Sequence, residues 1–313
     1  MQTNPHDFRH FPQFIAAGEA LTDLIVCDRH KTQWTSLVGG STWNVARAVA
    51  NLGVPSAFAG AISKDVFGDA LWTANQASGL DSRFLQRVDK APLLAVVHET
   101  QPPSYFFIGD NSADLHFDAD ALPTGWMKQT KWVHFGGISL ARQPLAGKLI
   151  TLAKSLKEAG VMLSYDPNYR LLMDASYDAT LKTMTGLADV IKVSDEDLHG
   201  LFHTTDAESA FATLRSWNPT AHFLYSKGAQ GASLHINDRE WHQAAPHITV
   251  IDSVGAGDAS IAAFIYSMLE DKQKEPVEHL RFAVAAGACA CLKAGANPPS
   301  IADIHSMISA LGV

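Results

Sequence analysis

Apolar residues recur along this chain in two rhythms. Val45, Val49 and Leu52 fall at i, i+4 and i+7, which predicts a helix over about 42–52. Leu145, Leu149, Leu152 and Leu156 predict another over about 144–158, and Ile261, Phe264, Ile265, Met268 and Leu269 a third. Between them lie short apolar runs: FIAAG at 14–18, WVHF at 132–135, VMLSY at 161–165, DVIKV at 189–193 and HFLYS at 222–226. Strands spaced by helices over this length read as βαβ units, and so as an α/β fold with a mainly parallel central sheet flanked by helices. In such a sheet the carbonyl ends of the strands form the ligand side.

Two regions break the rhythm. Residues of about 22–38 and 93–109 read as paired strands joined by polar or Pro-containing turns, with no room for a crossover helix. They predict a small antiparallel sheet projecting from the main domain, placed to cover a ligand as a lid. A plain surface hairpin is the alternative.

Composition narrows the function. Of the 313 residues, 47% are hydrophobic and 18% charged, which suits a compact globular protein with a sizeable core. The net charge of −8 argues against nucleic acid as a partner, because that surface needs a basic field. No apolar run approaches a membrane span, and the polar N-terminus with Asp7 does not read as a signal peptide, so a cytoplasmic location is expected. Cys27, Cys289 and Cys291 make neither a disulfide framework nor a zinc site, and the histidines form no ligand cluster.

The strongest chemical signal is Asp252-Ser253-Val254-Gly255-Ala256-Gly257-Asp258, directly before the third helical stripe. A turn of small residues opening a helix points unpaired backbone N–H groups outward, which suits an anion. Asp258 stands at the mouth of that helix, and an ionised acid there can accept the proton of a hydroxyl that attacks a phosphate. Read alone, Asp258 serves equally well as a helix cap. The Walker phosphate loop and the protein-kinase signatures are absent.

Asp252 to Asp258 resembles the D-[TS]-x-G-A-G-D signature of the ribokinase-like (PfkB) carbohydrate kinases. A second signature of that family is matched by Gly39-Gly40-Ser41-Thr42-Trp43-Asn44-Val45-Ala46, leading to Leu52-Gly53. Further matches lie in order between them: Gly18-Glu19-Ala20-Leu21-Thr22-Asp23, Asp65-Val66-Phe67-Gly68, Asp166-Pro167-Asn168-Tyr169-Arg170 and Ser226-Lys227-Gly228-Ala229-Gln230-Gly231. The resemblance covers about residues 14–305. It implies a ribokinase-like fold, with residues 1–313 as a single kinase domain into which the lid strands are inserted. Gly-Glu-Ala-Leu at 18–21, Ser112-Ala113-Asp114-Leu115 and His134-Phe135-Gly136-Gly137-Ile138 are closest in flavour to the fructokinases.

The resemblance implies transfer of the γ-phosphate of ATP to a primary hydroxyl. By analogy Asp258 is the base, and the backbone of Gly255, Ala256 and Gly257 is the anion hole. Asp23, Gly39, Gly40 and Asn44 match positions that hold the sugar, joined by Arg170 and by Phe107 of the lid. Lys192, Ser194, Ser226, Lys227, Gly228, Gly231 and Asn168 are the implied ATP-binding residues. Mg²⁺ accompanies ATP, with Asp197 acting through water. Here the chain departs from the family, because Ser194-x-x-Asp197 stands where N-x-x-E is usual, and Asp is the shorter acid. Asp252 and the Gly295-Ala296-Asn297 stretch match a K⁺ site of many relatives. Trp43 is another departure; it either narrows the sugar pocket or packs into the core.

Several substrates stay open: fructose first, then ribose, 2-keto-3-deoxygluconate held by Arg170, or a nucleoside stacked on Trp43, Tyr105, Phe106 or Phe107. A non-catalytic sugar-binding regulator is the remaining alternative, and the intact Asp258 and its turn argue against it. The lid also implies a homodimer, since a small exposed sheet leaves an apolar face for a partner.

Overall fold

The computed structural model describes residues 10–100 and 103–310. Residues 1–9, with Asp7, lie outside the described residues. The chain begins β1 (Phe14–Ala17), β2 (Leu21–Val26), β3 (Trp34–Gly39), α1 (Ser41–Asn51), β4 (Ser56–Ser63), α2 (Val66–Ala77), β5 (Leu85–Val88), β6 (Leu94–Thr100) and β7 (Pro103–Ile108). It continues β8 (Trp132–Gly136), α3 (Leu145–Glu158), β9 (Met162–Asp166), α4 (Asp178–Leu187), β10 (Val190–Ser194), α5 (Asp195–Leu201), α6 (Ala207–Trp217) and β11 (His222–Ser226). The antiparallel pair β12 (Ala232–Ile236) and β13 (Arg239–Gln243) precedes α7 (Ala256–Glu270), α8 (Pro276–Ala290) and α9 (Ile301–Ala310).

The main sheet has nine strands in the order β13-β12-β11-β10-β9-β8-β1-β4-β5. Every pairing from β5 to β11 is parallel, as the alternation of helix and strand patterns predicts. Period-two alternation sends Phe135, Tyr165 and Val193 into one core layer and Trp132 and Val190 into the other. Ile261, Phe264 and Ile265 of α7 fill the second layer and are wholly buried. Each such side chain contributes about 1.5–3 kcal/mol by leaving water. Trp43 is also core: it is 1% exposed, its indole N–H faces Asn75 Oδ1 at 3.4 Å, and Arg47 lies over its ring. It is therefore no platform for a nucleoside.

The lid is a separate sheet in the order β3-β2-β6-β7. It is mixed and not, as the sequence suggests, antiparallel throughout, because β2 and β6 pair parallel. Both are the outgoing legs of hairpins that leave the main domain side by side, so they run the same way. Residues 101 and 102 lie outside the described residues. Register puts Leu37, Asp23, Ala95 and Phe107 in one row across the lid, on one face. The adjacent row, Ser36, Leu24, Val96 and Phe106, belongs to the other face. Trp34, Phe106 and Ile108 are exposed on that second face. Among the described residues no helix is long and apolar enough to cross a membrane.

Candidate active site

The site is built where two helices begin. Gly40 is the N-cap residue of α1 and Gly255 that of α7, and no side chain caps either helix. Gly255 has a φ of 80°, the left-handed region that turns the chain sharply into the helix. The first N–H groups of α7 are thus left at a positive helix end without a side-chain acceptor, although Ala256 N–H turns back to Ser253 O at 3.2 Å.

Asp258 is the third residue of α7 and is buried. Ser41 Oγ donates to its Oδ1 at 2.9 Å, and Asn44 Nδ2 donates to its Oδ2 at 3.0 Å. Burial pushes the Asp258 carboxyl up. The hydrogen bonds of Asn44 and Ser41 and the charges of Lys192 and Arg170 pull it down. With its amide nitrogen on Asp258, Asn44 leaves Oδ1 buried and without a partner. That oxygen is an acceptor on the residue that holds Asp258.

Beneath the turn lies a buried ion cluster. Lys192 Nζ is 3.1 Å from Asp166 Oδ2 and 3.8 Å from Asp197 Oδ2. A Cβ on Gly257 would stand 3.0 Å from the same ammonium, so the backbone at Gly257 rests directly on Lys192. Burial lowers the Lys192 affinity for its proton, but Asp166 and Asp197 more than offset it and the net shift is upward. Asp166 is carried by burial up to about 6, against the pull of Lys192. Asp197 is fully engaged: Oδ2 accepts from Ser194 N–H and Oγ–H, both at 2.8 Å, and Oδ1 accepts from Tyr169 N–H at 2.8 Å. It closes a capping box at the start of α5.

Arg170 lies within electrostatic reach of both Asp258 and Asp23. Arg170 Nη1 donates to Asn168 Oδ1 and Tyr169 O, each at 2.7 Å. Among the described residues it makes no ion pair with a carboxylate, yet its charge lowers both Asp23 and Asp258. Asp23 is carried by burial up to about 6. Its carboxyl lies against the backbone of Gly39, where a Cβ would come within 2.5 Å of Oδ2. Phe107, in the same lid row, is half-buried and packs edge-on to Tyr105.

The remaining predicted residues lie at the neighbouring strand ends. Ser226 closes β11, opposite Ser194 of β10. Gly228 and Gly231 bracket the next turn, and a Cβ on Gly231 would meet Gln243 O of β13 at 2.0 Å. Lys227 pairs with Glu208 at 2.6 Å over the Tyr225 ring, so it sits on the rim while Lys192 sits inside. Asp252 joins two loops, accepting from Val254 N–H at 3.1 Å and Gly295 N–H at 2.8 Å. Among the described residues no group of three or more His, Cys, Asp or Glu forms a ready metal cage. Ser41 is the contact that sequence reasoning does not find, because its partner lies 217 positions away.

The family model of the pfkB family carbohydrate kinases matches residues 13–303. The chain is 31% identical to fructokinase-1 of Zea mays over 315 residues, covering 94% of this chain and 97% of that one. The ATP-bound fructokinase structure from Xylella fastidiosa is similar at a TM-score of 0.88 and 26% identity, covering 97% of this chain and 100% of that one. A double-mutant fructokinase from Vibrio cholerae O395, solved with fructose, ADP and potassium ion, is similar at a TM-score of 0.83 and 25% identity, covering 96% and 100%. The ordered motifs, the sheet with its lid and these matches agree: the chain belongs to the pfkB family of carbohydrate kinases and is an ATP-dependent sugar kinase.

Proposed function

We propose that the protein phosphorylates a primary hydroxyl of fructose, with Asp258 as the base. The observation that carries this reading is the meeting of two helix N-termini on one buried carboxylate, in the field of the Arg170 that also acts on Asp23 of the lid. Asp258 takes the hydroxyl proton as the sugar oxygen forms its bond to the γ-phosphorus. The bond to the bridging oxygen breaks, and ADP leaves. The backbone N–H groups of Gly255, Ala256 and Gly257 meet the charge on the phosphoryl oxygens. The transition state is loose, so most of the effect is positioning and charge stabilisation.

Asp23, Asn44 and the backbone of Gly39 and Gly40 hold sugar hydroxyls in this reading, and Phe107 closes over the ring. Asp accepts, and Asn44 offers its unpartnered Oδ1. The nucleotide runs along Asn168, Ser194 and the 226–231 turn. Mg²⁺ arrives with ATP as part of the co-substrate in this reading, since Asp197 is occupied by Ser194 and Tyr169 and Asp166 is paired with Lys192. It neutralises phosphate charge there. The donor set suits a largely hydrated ion held by phosphates. In this reading K⁺ lies by the two loops that Asp252 joins through Val254 and Gly295. The exposed apolar face of the lid, with Trp34, Phe106 and Ile108, supports a homodimer.

A sugar acid such as 2-keto-3-deoxygluconate is the second reading. It is favoured by Arg170, whose guanidinium has carbonyl partners but no carboxylate. The test is ADP release from MgATP across fructose, ribose, tagatose, 2-keto-3-deoxygluconate and adenosine, with and without K⁺. Saturable turnover on fructose well above the rest is expected. Preference for the sugar acid would move the argument to Arg170, and silence across the panel would remove the assignment of Asp258.

A further inference from the structure

Ser41 is the first residue of α1, directly after the Gly40 N-cap, and its side chain is not used within its own helix. α1 has no side-chain cap at its N-terminus. The hydroxyl proton instead goes across the domain to Asp258 Oδ1 at 2.9 Å. Asn44, three residues on and so on the same helical face, covers the other oxygen. The two donors fix the plane of the carboxylate from one side, and the turn they come from is itself held. Thr42 Oγ–H donates to Glu19 O at 2.8 Å, which ties the start of α1 to the end of β1.

The two donors differ in what else they do. Asn44 has a second polar atom free for a ligand, and its removal would disturb binding as well as the base. Ser41 is half-buried and has a single proton, which is committed to Asp258. A hydroxyl donating to a carboxylate favours the ionised form. It therefore works against the burial that raises Asp258. The other groups that face Asp258 are Lys192 from β10 and Arg170 and Asp166 from the end of β9. Two of these are cations set at longer range, so Ser41 and Asn44 supply the direct contacts.

We propose that Ser41 is a positioning residue that holds the Asp258 carboxylate in line for the acceptor hydroxyl and keeps it ionised in the free enzyme. The inference rests on the reading of Asp258 as the base. It adds a residue whose role is separable from that of the sugar-binding groups.

The experiment compares wild type, Ser41→Ala, Ser41→Thr and Asp258→Ala in pH profiles of kcat and kcat/KM, with thermal melts of each protein. Ser41→Ala is expected to lower kcat on the order of tenfold, the size of a lost hydrogen bond to a charged group. It should also move the acid limb of the profile to higher pH, and leave KM for ATP within about twofold. Ser41→Thr keeps the hydroxyl and should restore both kcat and the limb. A merely structural serine would lower the melting temperature without moving the limb, and that result overturns the proposal. An inactive Asp258→Ala beside an unchanged Ser41→Ala would refute the role of Ser41 alone. An active Asp258→Ala would refute the underlying reading of the base. Should Ser41→Ala fail to fold, Ser41→Thr against Ser41→Val, which keeps the shape and drops the hydroxyl, decides the same question.

Discussion

Asp258 and Glu19 are both buried acids at the carbonyl end of the main sheet, and burial raises both. Their neighbours differ. Asp258 receives two side-chain donors and lies in the field of Lys192 and Arg170. Glu19, at the root of the lid between β1 and β2, has no such cation; Asp114 nearby raises it further, and it reaches about 7. Its carboxyl meets the N–H of Ser139 at 3.2 Å and the Ser139 hydroxyl. That hydroxyl also lies 2.7 Å from Gly136 O. One hydroxyl proton cannot serve two acceptors. A proton on Glu19 completes the chain, with Glu19 donating to Ser139 and Ser139 to Gly136 O. Burial thus sets the direction of both shifts, and donors and cations decide which acid is fit to act as an ionised base.

The largest test of this contrast is Asp258→Ala. With the proposed base gone, kcat should fall on the order of 10³-fold or more, while KM for ATP changes little. ADP release under saturating substrate measures it. Activity near the wild-type level would mean that the ionised acid is not the working group.

Lys192→Met asks what keeps the acids beneath Asp258 charged. Lys192 is 7% exposed and carries both Asp166 and Asp197. Removing one partner of a buried ion pair leaves an uncompensated charge, at a cost of about 3–5 kcal/mol. Urea denaturation at neutral pH should show that loss. An unchanged midpoint would mean that the cluster is held by its hydrogen bonds alone.

The contrast also marks how far the sequence could be read. The strand runs, the helical stripes, the lid segments and the 252–258 turn are local patterns, and each is set by residues within one or two turns of the chain. Asp258 stands out because the small residues before it have no other use. The pairing of β2 with β6 is not local; it depends on where two hairpins leave the sheet. Ser41 to Asp258 spans 217 positions and Glu19 to Ser139 spans 120, and no short spacing records either. Lys192 is implied as an ATP-binding residue by resemblance, and its place under Gly257 and against Asp166 and Asp197 is likewise recorded in no short spacing. Asp197, implied as a Mg²⁺ acid acting through water, also caps α5 through the local Ser194-x-x-Asp197 spacing.

Glu19→Gln is the gentlest change and the sharpest test of the other half of the contrast. Glutamine keeps the shape and donor capacity of a neutral acid and cannot ionise. Glu19 has a folded value of about 7 against 4.5 when solvated. Between those values the folded protein holds a proton that the unfolded chain has released. Its stability contribution is therefore full below about pH 4.5 and is lost as the pH rises through the folded value, by up to about 3 kcal/mol. Asp23 and Asp166, at about 6, act in the same sense. His134, held near 3 by burial and by Lys192, acts in the opposite sense, losing stability as the pH falls below 6.5. These terms are common to wild type and variant, so the difference between the two isolates Glu19. Denaturation from pH 5 to 8 should show the variant gaining on wild type as the pH rises, and levelling off above about 7. A difference that does not vary with pH would mean that Glu19 is ionised in the fold. The lid root would then need a cation that the contrast with Asp258 denies it.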